Sequence, residues 1–222
     1  MNKDVLYNQG VYHVISRSIA GYKVFNNDKD YERMVLALRF YQFKDLPCKL
    51  STFLKLRGTE NYGFDKNFKK YLDNEKIVNI IAYCLMSTHI HLILQQLEDK
   101  GISLFMKNIL DSYSRYFNIS HKRKGPLWES RFKHISVNKD AQLIHLTRYI
   151  HSNSTTAGLV KKPKDWLYSS YREYIGEAEP NGLINYEELL DIKPKNYQKF
   201  VNDRKDYQRK LAIIKNLIES NL

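Results

Sequence analysis

His89 and His91 stand one residue apart in the stretch MSTHIHLIL, residues 86–94. In a β-strand successive side chains alternate, so both imidazoles leave by one face while Ile90, Leu92 and Leu94 leave by the other. Two imidazoles on parallel Cβ directions can converge on one cation; the same pair on an antiparallel sheet can equally face solvent. A second group lies in LIHLTRYIHSN, residues 143–153, where His145, Tyr149 and Asn153 recur at every fourth position. That spacing puts them on one stripe of a helix, with Leu143, Leu146 and Ile150 on a separate apolar stripe that would anchor it. A phenol and a carboxamide one turn apart can serve one site, or they can be the solvated side of an amphipathic helix. A phenol with a pKa near ~10 is mostly protonated at neutral pH and is a poor nucleophile unaided. A cation bound to a phosphate would make its attack feasible. Tyr113 and Tyr116, in ISLFMKNILDSYSRYFNIS, are rival phenols, but neither has a ligand-type residue one turn away.

The elements that must position these groups follow from periodicity. GVYHVISRSI alternates as a strand, with Val11, His13 and Ile15 on one face. His13 there is either a neighbour of the histidine pair or a packed strand histidine. NNDKDYERMVLALRFYQF opens with cap-type Asn and Asp and continues at helical spacing. Residues 45–75 are polar and turn-prone and read as an insertion. KIVNIIAYCLM and HIHLILQQL are two strands joined by a two-residue Ser-Thr turn. A helix follows, stopped by HKRKGP; SRFKHISV is a further strand and DAQLIHLTRYIHSNS a further helix. The order β-α-(insertion)-β-β-α-β-α predicts an α+β, ferredoxin-like antiparallel sheet. Its helices are expected on one face, with an additional tyrosine-bearing helix and a helical C-terminal tail. Residues 1–176 are read as the catalytic domain and 177–222 as a basic extension.

The chain has 222 residues, 43% of them hydrophobic, enough for a sizeable core rather than disorder. Its longest apolar run, IVNIIAYCLM, is too short to span a bilayer, and MNKDVLYNQG has no signal-peptide core, so a cytoplasmic protein is expected. Cys48 and Cys84 form no CxxC pair. The net charge of +12 is concentrated: residues 107–139 carry eight Lys/Arg against two acids, as do residues 193–215, leaving about zero elsewhere. Such segments suit a polyanion such as DNA or RNA, although a Lys-rich solvated surface reads the same way. Lys122, Arg123, Lys124, Arg131 and Lys133 are the candidates for holding a phosphate backbone. Trp128 is a base-stacking candidate or a buried anchor for its loop.

The quoted segments also resemble a known family. THIHLIL is similar to the histidine–hydrophobic–histidine signature of the HUH single-tyrosine transposases. VYHVISRS, GPLWESRFKH and RYIHSNSTTAGLV resemble the corresponding blocks of the REP-associated tyrosine transposase branch, across roughly residues 8–176. The resemblance implies a ferredoxin-like (RRM-like) core, a divalent metal, and transesterification on single-stranded or hairpin DNA. It implies His89 and His91 as metal ligands, Asn153 completing the metal shell, and Tyr149 as the nucleophile. It also implies a 5′-phosphotyrosine with a free 3′ hydroxyl, and a homodimer. Imidazole and amide ligands suit Mg²⁺ or Mn²⁺, with zinc compatible by ligand type. The chain departs from the family at Thr88, where Asn is usual, and at NSTT, where Asn-Pro-Val-Arg is common. His145 is expected to order the tyrosine, touch a phosphate, or simply lie on the surface. Two other functions fit parts of the pattern: a non-catalytic DNA- or RNA-binding protein on the same fold, and a metal hydrolase of small phosphates, which leaves the basic segments unused.

Overall fold

The computed structural model describes residues 5–55, 68–72, 74–179 and 182–203. Much of the expected insertion (56–67 and 73) and the end of the basic tail (204–222) lie outside the described residues. Four strands form one sheet: β1 (Val11–Arg17), β2 (Val78–Met86), β3 (His89–Gln96) and β4 (Lys133–Ser136). Their spatial order is β2-β3-β1-β4, with every neighbouring pair antiparallel. This is the split arrangement expected from the element order, and the fold is ferredoxin-like.

Two helices cover the face that carries Ile90, Leu92 and Leu94. Helix α1 (Asp28–Tyr41) starts where the Asn27 side chain accepts from the Asp30 backbone N–H, with Asp28 and Asp30 in its first turn. Both features satisfy or complement unpaired N–H groups at a helix start. A four-residue turn, α2 (Leu50–Phe53), sends Leu50 and Phe53 into the same core. Helix α3 (Gly101–Ser120) buries Ile102, Phe105, Met106, Ile109, Tyr113 and Phe117, an apolar stripe at helical spacing. It begins at glycine because a Cβ at position 101 would collide with the Ile77 carbonyl oxygen.

Helix α4 (Asp140–Thr156) lies on the opposite face, against β2 and β3. Leu143, Leu146 and Ile150 pack there with Ile15, Ile81 and Ile93; each such buried aliphatic is worth roughly 1.5–3 kcal/mol relative to exposure. Helices α5 (Tyr171–Tyr174) and α6 (Pro194–Asn202) complete this second core through Tyr171, Tyr174, Tyr197 and Val201. The expectation of helices on one face therefore holds for α1 and α3, while the tyrosine helix takes the other. Double coverage explains why all nine residues of β2 are buried and why it reads as a continuous apolar run. Residues 166–170 shield the outer edge of β2: Leu85 N–H donates to the Tyr168 carbonyl, Ser170 N–H to the Tyr83 carbonyl, and Trp166 Nε1 to the Leu85 carbonyl. Among the described residues no helix is long and apolar enough to cross a membrane. Cys48 and Cys84 are both free thiols.

Candidate functional site

Strand register assembles the site. β1 and β3 pair so that Arg17 stands opposite His89, Ile15 opposite His91 and His13 opposite Ile93. Directly opposed residues share a face, so His13, Arg17, His89 and His91 all project from the side of the sheet that α4 covers. His13 Nε2 lies 3.1 Å from His91 Nδ1, with both rings buried and stacked at a centroid distance of 5.3 Å. Thr88 Oγ1 lies 3.0 Å from His89 Nδ1. Those two contacts engage one nitrogen on each member of the pair and leave Nε2 of His89 and of His91.

Tyr149 reaches this cluster from α4. Its ring centroid is 5.9 Å from that of His91 and 6.3 Å from that of His13, edge to face in both cases. Helical spacing puts Asn153 one turn beyond it; the amide is buried, and among the described residues its Nδ2 has no hydrogen-bond partner. Turning that amide over would place the acceptor Oδ1 at the same position. His145, one turn before Tyr149, instead lies 5.2 Å from the Phe200 ring of α6.

The electrostatics favour neutral imidazoles. Burial pulls His13 down to about 3. Burial, reinforced by the Arg17 guanidinium, brings His89 to about 4. His91 is held well below the ordinary histidine range by burial first, then by His13, His89 and Arg17. All three rings are therefore unprotonated donors at neutral pH, the form in which imidazole binds a metal.

Of the five basic residues singled out in the sequence, Lys133 lies on the histidine face, opposite Ile15 on the edge strand β4, with its side chain exposed. Lys122, Lys124 and Arg131 are exposed in the loop between α3 and β4. Arg123 is folded into that loop, donating to Asn118 Oδ1 and to the Gly125 and Pro126 carbonyls. Trp128 is half-buried against the first core, its Nε1 donating to the Leu110 carbonyl, which makes it an anchor. Arg17 is the residue that sequence reasoning missed. It is exposed beside His89, and among the described residues no carboxylate lies in ion-pair range of it. Its parity with His13 and Ile15 was the available signal.

The rival tyrosines lie on α3, across the sheet. Tyr113 is fully buried and donates to the Val24 carbonyl, and Tyr116 donates to Asp30 Oδ1 at 3.2 Å. Among the described residues no three His, Cys, Asp or Glu side chains cluster as a metal site.

Residues 58–153, a span that contains His89, His91, Tyr149 and Asn153, match the family described as transposase IS200 like. That segment is similar to the IS200-like transposases. It is 29% identical over 111 residues to a putative REP-associated tyrosine transposase of Haemophilus influenzae, a match covering 45% of this chain and 63% of that protein. The chain thus spans less than two thirds of that relative's length. The solved structure of a REP-associated tyrosine transposase bound to a REP hairpin shares the fold, with a TM-score of 0.52 and 15% identity across 87% of this chain and 93% of the other. The IS200-like segment runs from the insertion to Asn153, so β1, with His13 and Arg17, falls outside it and joins the site through the sheet alone.

Proposed function

We propose that this chain is a DNA strand transferase that cuts and rejoins single-stranded DNA at hairpin-bearing sequences through a covalent phosphotyrosine at Tyr149. The observation that carries the reading is the docking of Tyr149 onto the stacked His13–His91 pair of its own chain. The relation to IS200-like transposases and the hairpin carried by the structural neighbour support DNA of that kind as substrate. Tyr149 meets His13 and His91 within one chain, so the contact that carries this reading does not depend on the homodimer implied by the resemblance.

His89 and His91, through Nε2, and Asn153, through its amide oxygen, are the residues that would hold Mg²⁺ or Mn²⁺. The cation would supply Lewis-acid polarisation of the scissile phosphate. Because all three ligands are neutral, none of the cation's charge is offset before DNA arrives. Arg17, exposed beside His89 and without a carboxylate partner among the described residues, is suited to grip a phosphate in bidentate fashion. Lys133 adds charge on the same face. Tyr149 Oη attacks phosphorus and the bond from phosphorus to the 3′ oxygen breaks. The phenolic proton is balanced by the hydroxyl formed at the departing 3′ end, and the reverse reaction rejoins the strand.

The test is incubation with labelled hairpin DNA bearing unpaired flanks, in the presence of Mn²⁺. A protein–DNA complex that survives denaturation is expected, and chelation with EDTA should prevent it. DNA binding without such an adduct would favour the non-catalytic reading.

His13 has a positioning role in this scheme. When His91 Nδ1–H donates to His13 Nε2, the proton is kept off His91 Nε2, the atom that would meet the cation. Outer contacts of this type typically contribute a factor of roughly 10–100 in metal affinity. His13→Gln is therefore expected to weaken Mn²⁺ binding by about that factor, measured by direct metal titration, with an unchanged thermal transition. Wild-type Mn²⁺ affinity in that variant would remove His13 from the scheme.

A further inference from the structure

Just beyond Arg17 the chain turns over the end of the sheet and presents an aromatic ring that the proposed chemistry does not use. Tyr22 is 45% exposed, and the Arg123 guanidinium carbon lies 5.2 Å from its ring centroid. Neither group is loosely held. Tyr22 meets the buried Phe117 ring edge to face, and Phe117 stacks on His121 at 4.2 Å. Arg123 is fixed by its contacts with Asn118, Gly125 and Pro126. The turn itself is pinned on two sides. Ser18 N–H donates to the Thr88 carbonyl and Ile19 N–H to the Leu127 carbonyl, while Val24 and Phe25 N–H groups both donate to the Ser87 carbonyl. Ser87 and Thr88 form the turn that leads into His89, so the ring stands beside the histidine end of the sheet. Lys23, next to Tyr22 in sequence, and Lys122 and Lys124, on either side of Arg123, are all exposed.

An exposed ring backed by a fixed guanidinium, with exposed lysines next to both in sequence, is a good seat for a nucleobase. Stacking on an aromatic face is open to any base once it is unpaired, and the surrounding cations hold the phosphates on either side. A base inside a closed duplex has both faces occupied by its neighbours and cannot use such a seat. We infer that Tyr22, with Arg123, is a stacking platform for one unpaired nucleotide flanking the hairpin. This rests on the reading of the substrate as single-stranded DNA and adds which side chain seats a base of it.

The experiment uses the full chain carrying Tyr149→Phe, so that only binding is read, in EDTA. Its probe is a DNA hairpin with an unpaired flank in which 2-aminopurine replaces one base at a time. Strong quenching at one flank position is expected, lost in Tyr22→Ala and kept in Tyr22→Trp. Affinity of Tyr22→Ala for the flanked hairpin should fall roughly 10–100-fold, the scale of one base–aromatic stack. Affinity for the same hairpin without its flank should not change. Unchanged quenching and affinity in Tyr22→Ala, or equal weakening with and without the flank, would overturn the platform. A failure of the transferase reading looks different: no adduct from the wild-type chain with Mn²⁺, while the Tyr22-dependent quenching persists.

Discussion

Tyr149→Phe is expected to form no denaturation-resistant adduct with hairpin DNA, while its non-covalent affinity for the same DNA stays near that of the wild type. The substitution removes one oxygen from a ring whose placement is set by Leu143, Leu146 and Ile150 on the neighbouring stripe of α4, so the fold should survive it. What disappears is the only atom of that ring able to bond to phosphorus. Tyr113→Phe and Tyr116→Phe should both keep the adduct. Their hydroxyls already donate, to the Val24 carbonyl and to Asp30, and burial raises both phenols above their ordinary range. They also sit on α3, with the sheet between them and the histidines. Tyr113→Phe should instead leave the Val24 carbonyl without that donor, a loss of about 1 kcal/mol in unfolding free energy. An adduct formed by Tyr149→Phe, mapped by mass spectrometry to either α3 tyrosine, would sink the assignment.

The second large effect is acid lability, and it centres on His151, away from the candidate metal pair. Thr147 Oγ1 donates to the Ile144 carbonyl, so it accepts from the Tyr197 hydroxyl at 2.9 Å. Tyr197 must then accept from His151 Nδ1–H at 2.7 Å, and His151 Nε2 takes the Ser170 hydroxyl proton at 2.8 Å. In that arrangement, with the Ser170 proton on Nε2 rather than turned to the Tyr83 carbonyl at 3.4 Å, the imidazole is neutral. The ring is fully buried among Tyr171, Tyr174 and Tyr197, and burial brings it down to about 3. The folded value is below the unfolded one of about 6.5, so between pH 6.5 and 3 the unfolded chain binds a proton that the folded chain refuses. Stability is complete above pH 6.5 and falls as the pH drops through that window, by about 1.4 kcal/mol per pH unit, reaching several kcal/mol near pH 3. Urea unfolding between pH 7 and pH 4 should show a slope at least that steep, because burial lowers His13, His89 and His91 in the same sense. His151→Gln should reduce it by about the His151 share. The His151 ring should remain neutral by NMR at pH 5 while the protein is folded. A ring titrating near pH 6.5 in the folded chain would refute the argument.

Local periodicity was enough to establish some of the site. The alternation of a strand put His89 and His91 on one face and Ile90, Leu92 and Leu94 on the other. The repeat of a helix put Tyr149 and Asn153 on one stripe and Leu143, Leu146 and Ile150 on another. Cap residues and turn chemistry placed the elements, and their order pointed to the ferredoxin-like sheet. Arg17 shows the limit of this reading. Its face was legible from its parity with His13, but nothing local told that His89 would stand opposite it.

The remaining decisions belong to tertiary structure. That α4 lies on the histidine face, bringing Tyr149 to its own chain's His91, depends on which sheet surface was left for Leu143, Leu146 and Ile150 to bury. That His13 meets His91 depends on the register between β1 and β3, and that His151 sits in a closed hydrogen-bond circuit depends on α6 bringing Tyr197 to α4. A residue's own neighbours determine which side of an element it occupies, because backbone geometry repeats over a few residues. Which other element meets that side is determined by packing between segments far apart in the chain, and no short window of sequence contains that.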